Sequence, residues 1–268
     1  MNADQAVRDE LGSRWSRELR EWAIPDDLLA VAPDSPWSFD PRAFSPFYDG
    51  PLNRTQEAIV DLLDRSPSRS VLDVGAGAGA CVLPIGSFIQ SLLAVDRDAA
   101  MLEMLALESE SIPQLLVETR VGDFFALEPD LELYDVVTSQ NVVYNVDDLF
   151  GFLGGLIAHA KVGVVLEMTL YHPHYGLNLL WRQFHQLERP TAPSAVEVIG
   201  ALVMMGMTPK VALGAGVRRA SDPATQVIST RRRLCLTPRE DVAIQSALEQ
   251  GLVLPNPTVT LVCEFADG

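Results

Sequence analysis

Gly75, Gly77 and Gly79 alternate with alanine in the stretch VLDVGAGAGA, directly after an apolar run. Lacking a Cβ, such residues let a backbone turn sharply and approach a ligand closely, as in a nucleotide-type cradle. The spacing is G-x-G-x-G rather than the G-x-G-x-x-G of dinucleotide folds, and an acidic Asp73 lies within the strand end. About twenty positions on, Asp96 closes a second apolar run, where a short carboxylate can accept bonds from both hydroxyls of a ribose. Asp98 is better placed to cap the helix that follows, which leaves Asp96 for the ligand. After a third run comes Asp123, a hydrogen-bond acceptor beside Phe124 and Phe125. A turn cap flanked by core phenylalanines is its alternative reading.

Two further stretches hold side chains able to act on a substrate. Ser139-Gln140-Asn141-Val142-Val143-Tyr144-Asn145 follows a fourth apolar run. Tyr144 and Asn145 can orient a substrate or stabilise a cation, or equally pack the loop. Glu167 to Tyr175 follows a fifth run and contains His172 and His174. Their H-x-H spacing lacks a convincing third ligand, so no metal site is expected. Either imidazole can serve as a general base at a pocket edge, or simply hydrogen-bond within a lid. Leu177, Trp181, Phe184 and His185 then share one face at helical spacing, as a core stripe or as the roof of a substrate site. Trp37, Phe39, Phe44, Phe47 and Tyr48 would supply another wall, and such a water-poor cavity suits a small, largely apolar molecule.

The elements that must position these residues follow from the apolar pattern. Strands are predicted at 71–74, 91–96, about 115–121, 134–139 and 162–168, separated by helices, among them one at about 80–90 and one capped by Asp147. Short apolar strands alternating with helices predict an α/β fold: a doubly wound, mostly parallel sheet covered on both faces. Ligands bind such sheets at the carboxyl ends of the strands, where the residues above lie. Asn53 caps a helix ahead of the first strand. Beyond the fifth strand the pattern gives a helix at about 176–188 and a capping box at Ser194 to Glu197 opening a helix that stops at Gly206. A weak strand near 208–213, a second capping box at Thr237 to Glu240 and a final strand at 258–265 follow. Residues 1–50 read as an N-terminal extension or cap on a domain spanning 51–268, with a lid insertion at about 171–193.

VLDVGAGAGA, AVDRDAAML, VGDFFAL and YDVVTSQNVVYNV together resemble the ordered motifs of class I S-adenosylmethionine-dependent methyltransferases, over about 70–168. The resemblance implies a seven-stranded sheet with the last strand antiparallel, a place that 258–265 would fill. It also implies that Asp73, Gly75, Gly77 and Gly79 hold the methionine part of S-adenosylmethionine and Asp96 the ribose, with Ala76 and Arg97 among the cofactor-binding residues. Asp123 would take the adenine amino group, the Phe124 amide would reach the ring, and Asn141 would complete the cofactor site. Tyr144, Asn145, Trp181, His185, Trp37 and Phe47 become candidate acceptor-binding residues, and His172, His174 and Tyr144 candidate catalytic ones. The Asn/Asp-Pro-Pro-Tyr and Pro-Cys arrangements of nucleobase methylases are missing, and Ser139 stands where a magnesium-ligating carboxylate would be expected. A small-molecule methyltransferase forming S-adenosylhomocysteine without a metal is therefore expected, its acceptor atom (oxygen, nitrogen or carbon) open. The alternatives are a non-catalytic S-adenosylmethionine-binding partner protein and, less well matched, an NAD-type dehydrogenase.

Bulk properties narrow the partners. The 268 residues are 48% apolar with a formal charge of −16, which disfavours a phosphate backbone as ligand. Arg231-Arg232-Arg233 is too short to reverse this and reads as a helix end. The three cysteines are far apart, suggesting neither disulfides nor a metal framework. No secretory leader or membrane span is read, so a cytoplasmic protein is expected, with a homodimer as its candidate assembly.

Overall fold

The computed structural model describes residues 3–37, 45–214 and 222–265. Its centre is a seven-stranded sheet in the order β3-β2-β1-β4-β5-β7-β6. The strands are β1 (Ser70–Val74), β2 (Ser91–Asp96), β3 (Leu116–Val121), β4 (Tyr134–Gln140), β5 (Ala160–Thr169), β6 (Lys210–Gly214) and β7 (Thr258–Glu264). β7 runs antiparallel between β5 and β6, whereas β1 to β5 pair in parallel. Side chains alternate across the sheet, so the inner strands feed two cores, while the edge strands β3 and β6 bury no residue fully. Leu72, Val74, Val137, Val164 and Leu166 face one core, and Val71, Leu92, Ala94, Val136 and Val165 the other.

The helices are α1 (Ala3–Arg20), α2 (Asp26–Val31), α3 (Arg54–Leu63), α4 (Ala99–Ser109), α5 (Phe124–Leu127), α6 (Leu149–Ala158), α7 (Asn178–His185), α8 (Ala195–Met204), α9 (Pro223–Arg233) and α10 (Asp241–Glu249). Their starts follow local chemistry. Asn53 and Gln56 form a capping box at α3 and Ser194 and Glu197 another at α8, satisfying amides that the helix leaves open. Asp98 caps α4 through the Ala100 and Met101 amides. The cap of α6 is Asp148, one residue beyond the expected Asp147; its side chain accepts from the Gly151 amide.

Two expectations change, and one open alternative narrows. Between β1 and β2 the expected helix at about 80–90 is a 3-10 helix, Leu83–Phe88; Pro84 and Gly86, both poor in helix interiors, account for its shortness. The N-terminal segment is less an appendage than expected. Trp15 of α1 is fully buried in the first core, its indole N–H donating to the Val146 carbonyl at 2.8 Å. The stripe on α7 is core: Trp181, Leu180 and Leu177 pack with Ile24, Leu234, Cys235 and Ala247 in a third cluster joining the N-terminal segment, α7, the end of α9 and α10. α9 itself has readable signals, an Asp222 cap and Pro223 at its first position, and carries the three arginines in its last turn.

Candidate active site

At the carboxyl end of β1 the backbone folds back on β2: the Gly75 and Ala76 amides donate to the Val95 carbonyl at 2.8 and 3.1 Å. Gly75, Gly77 and Gly79 all have positive φ, at 75°, 53° and 80°. A Cβ on Gly75 would lie 2.2 Å from a Val142 methyl, whereas one on Gly77 meets no described residue within 4 Å. Gly75 is therefore a packing requirement, and Gly77 faces open space. Asp96 turns toward that turn. Its Oδ2 accepts from the Gly77 amide at 2.8 Å and its Oδ1 from the Asp98 amide at 2.9 Å. A carboxylate has about four acceptor positions, so both oxygens can still take a hydroxyl.

Asp73 is buried, and burial, reinforced by the nearby Asp96 charge, pushes its carboxyl up to about 7. Asp123 caps α5 through the Phe125 amide and pairs with Arg97 across the gap between the ends of β2 and β3. Phe124 is buried in the first core, edge-on to Phe152 at 5.6 Å, and so is no open aromatic wall; Phe125 is the exposed one of the two. Asn141 sits at φ 57° just after β4, its amide donating to the Glu167 carbonyl. Ser139 is buried and donates to the Val74 carbonyl at 2.7 Å, tying β4 to β1.

Of the two readings open for the second group of residues, the packing one describes what Tyr144, His172 and His174 do. The Tyr144 hydroxyl donates to the Thr169 and Leu170 carbonyls at 2.9 and 3.2 Å, and its buried ring stacks on Trp15. Burial holds that phenol far above its ordinary range, so Tyr144 anchors the chain after β5, while Asn145 is exposed. His172 stacks on Trp22 at 4.1 Å, and His174 on Trp37 at 5.5 Å. Burial, reinforced by each one's neighbouring cations, depresses His172 to about 3 and His174 to about 4. Imidazoles so reluctant to charge are weak bases, and the pair fits the lid-packing reading.

Trp181 is fully buried and lines no open site; its neighbour His185 is tied through Nε2 to the Leu234 carbonyl at 2.6 Å. Arg189 clamps the N-terminal segment to this layer, donating to the Trp22 and Ala23 carbonyls and lying over the Trp22 and Trp181 rings. Phe47 and Tyr48 are exposed, and Phe39 and Phe44 lie outside the described residues. Among the described residues no three His, Cys, Asp or Glu side chains converge as a metal site.

Residues 71–163 match the family model described as "Methyltransferase domain". That segment, about a third of the chain, is similar to a methyltransferase domain. A ubiquinone biosynthesis O-methyltransferase of Paramagnetospirillum magneticum is 31% identical over 144 residues, 53% of this chain and 49% of that protein, so the match spans about half of the relative's length. Among solved structures, the magnesium protoporphyrin IX methyltransferase of Synechocystis PCC 6803, which holds bound S-adenosylhomocysteine, is similar in fold. It is 12% identical, with a TM-score of 0.50 over 98% of this chain and all of that one. The YcgJ protein of Bacillus subtilis gives 0.52 at 12% identity, over 79% of this chain and 99% of its own. Within the matched segment the first-strand turn and Asp96 meet at the sheet's carboxyl edge. The sequence reading assigned no role to Gln140 and Glu167 at the same edge; polar residues at alternate positions of otherwise apolar strand ends are the signal that marks them.

Proposed function

We propose that this protein transfers a methyl group from S-adenosylmethionine to a small molecule. One observation carries the reading: the Gly77 turn presents bare backbone to open space while Asp96, at the end of the next strand, holds that turn and keeps free acceptor positions. The residues fit such a ligand. Gly75 to Gly79 and Asp73 would receive its amino-acid part, Asp96 the ribose hydroxyls, and Asp123 with the Phe124 amide the base. Arg97, already paired with Asp123, fixes that carboxylate. When bound, S-adenosylmethionine supplies an electrophilic methyl, and its acceptor need only be held in line, so positioning provides much of the rate. The chain's part is to orient and to exclude water, and the layer formed by α2, α7, α9, α10 and the Trp22–His172 stack is suited to enclosing an acceptor. No metal is assigned to the reaction.

Calorimetric titration of the purified protein with S-adenosylmethionine and S-adenosylhomocysteine is the test. Binding of both that weakens in Asp96→Ala supports the reading. No binding by a folded protein overturns it.

A further inference from the structure

One face of the sheet turns polar at its carboxyl end. Asp73 pairs in register with Thr138, Gln140 with Glu167, and Glu167 with Thr260. Register partners point to the same face, so Gln140, Glu167 and Thr260 form one row across three strands, and Asp73 and Thr138 lie in the next row down beside Val165 and Val262. The start of α3 covers the row. Thr55 is fully buried, and its hydroxyl lies 2.5 Å from Glu167 Oε2 and 2.8 Å from the Thr260 hydroxyl. Glu167 is thus held by one oxygen; its Oε1 is not buried away and engages no described residue. Beside it the Gln140 amide nitrogen is buried and meets no nitrogen or oxygen acceptor among the described residues; the Cys81 thiol, a weak partner, lies against the Gln140 side chain. Burying an unpaired amide is costly, and a carboxylate oriented by a hydroxyl yet open on its other oxygen is a ready acceptor for a donor.

Resting on the proposed methyl transfer, we infer that Glu167 and Gln140 bind the methyl acceptor's reactive group, and that this group is a hydroxyl or an amine. Glu167 Oε1 takes its O–H or N–H, and the Gln140 amide donates to its heteroatom. A carboxylate acceptor would meet the Glu167 charge, and an acceptor lacking a donor would leave Oε1 unpaired. The site therefore selects protic acceptors over carboxylates and over ethers or hydrocarbons of the same shape.

The test uses phenol, anisole and benzoate as probes, titrated by NMR into the full chain saturated with S-adenosylhomocysteine. Phenol is expected to bind roughly tenfold tighter than anisole, as one charge-assisted hydrogen bond gives, with benzoate weakest. In Glu167→Gln the Thr55 hydroxyl retains the amide oxygen and turns the NH2 toward the probe, so phenol's advantage should fall to within about twofold and benzoate should gain. Gln140→Leu removes the orphaned amide, should melt no lower than the parent, and should also reduce the preference. Equal affinities for phenol and anisole in the parent, binding of no probe, or a preference that survives both substitutions overturns the inference. S-adenosylhomocysteine titrated into the same samples separates the two readings. If it fails to bind, the methyl-transfer proposal falls, and the probe series repeated on the bare protein still decides whether Glu167 selects donors.

Discussion

Adding a single methyl at Gly75 and at Gly77 should give opposite phenotypes, although the two glycines lie two residues apart and share positive φ. At Gly77 an added Cβ has no described neighbour within 4 Å, so Gly77→Ala should cost only the left-handed backbone penalty, about 1–2 kcal/mol. For a chain of this size that lowers Tm by roughly 2–8 °C. The methyl nevertheless projects into the space that the cofactor reading fills, and the bulkier Gly77→Val should abolish S-adenosylhomocysteine binding in a protein that still melts cooperatively. At Gly75 the added Cβ falls 2.2 Å from a Val142 methyl. Gly75→Ala should therefore pay an overpacking cost of about 1–3 kcal/mol on top of the backbone penalty. Its damage belongs to folding rather than to the ligand. Thermal melts and calorimetry on the same preparations read both quantities. Normal binding by Gly77→Val would refute the cradle, and parent-like stability in Gly75→Ala would refute the packing argument.

Asp96→Ala should weaken S-adenosylmethionine by about 2 kcal/mol, on the order of thirtyfold, because it removes the ribose acceptor and the partner of the Gly77 amide; Asp96→Asn, which keeps one oxygen, should lose less by calorimetry. Trp181→Ala should cost about 3–5 kcal/mol and reduce cofactor and acceptor affinity together, since Trp181 is fully buried in the third cluster; a change in acceptor affinity alone, with an unaltered melt, would return Trp181 to the acceptor site. His172 and His174 stay neutral in the fold down to about 3 and about 4, while in the unfolded chain they charge below about 6.5. Their contribution to stability is thus full above pH 6.5 and is lost as pH falls toward 4, because the unfolded state then binds more protons. Asp73, raised to about 7, acts in the opposite sense over the same interval. Melts from pH 4 to 7 on the parent and on His172→Gln/His174→Gln isolate the histidines: the double variant should lose the acid-side decline, and parallel curves would refute their burial as neutral rings.

The strands were legible because parallel strands buried on both faces read as unbroken apolar runs, such as Leu92 to Val95. The capping boxes at Ser194 and Thr237 were legible because a cap is a local bargain between residues three apart. In the candidate site, Asp96 and the alternating glycines could be read because the turn that needs them is also local. What could not be read depends on partners far away in sequence. Trp22 and His172 stack across 150 positions, and Thr55 reaches both Glu167 and Thr260. The same limit left Trp181 open between core and acceptor roof: a helical stripe reveals which side is apolar but not what covers it, and here α2, α9 and α10 do.

The position of β7 gives the protein an unusual schedule of assembly. Among the described residues β6 has no sheet neighbour except β7, which follows it by more than forty residues and must slide in beside β5. At about 5–20 residues per second on the ribosome, the exposed edge of β5 waits roughly 2–10 s after β6 is made before its partner is complete. During that interval Val164, Val165 and Leu166 lie on a strand with one unpaired side, open to pairing with any extended chain nearby. The sheet closes from within, so the last strand synthesised of the seven is the one that shields its neighbours from aggregation.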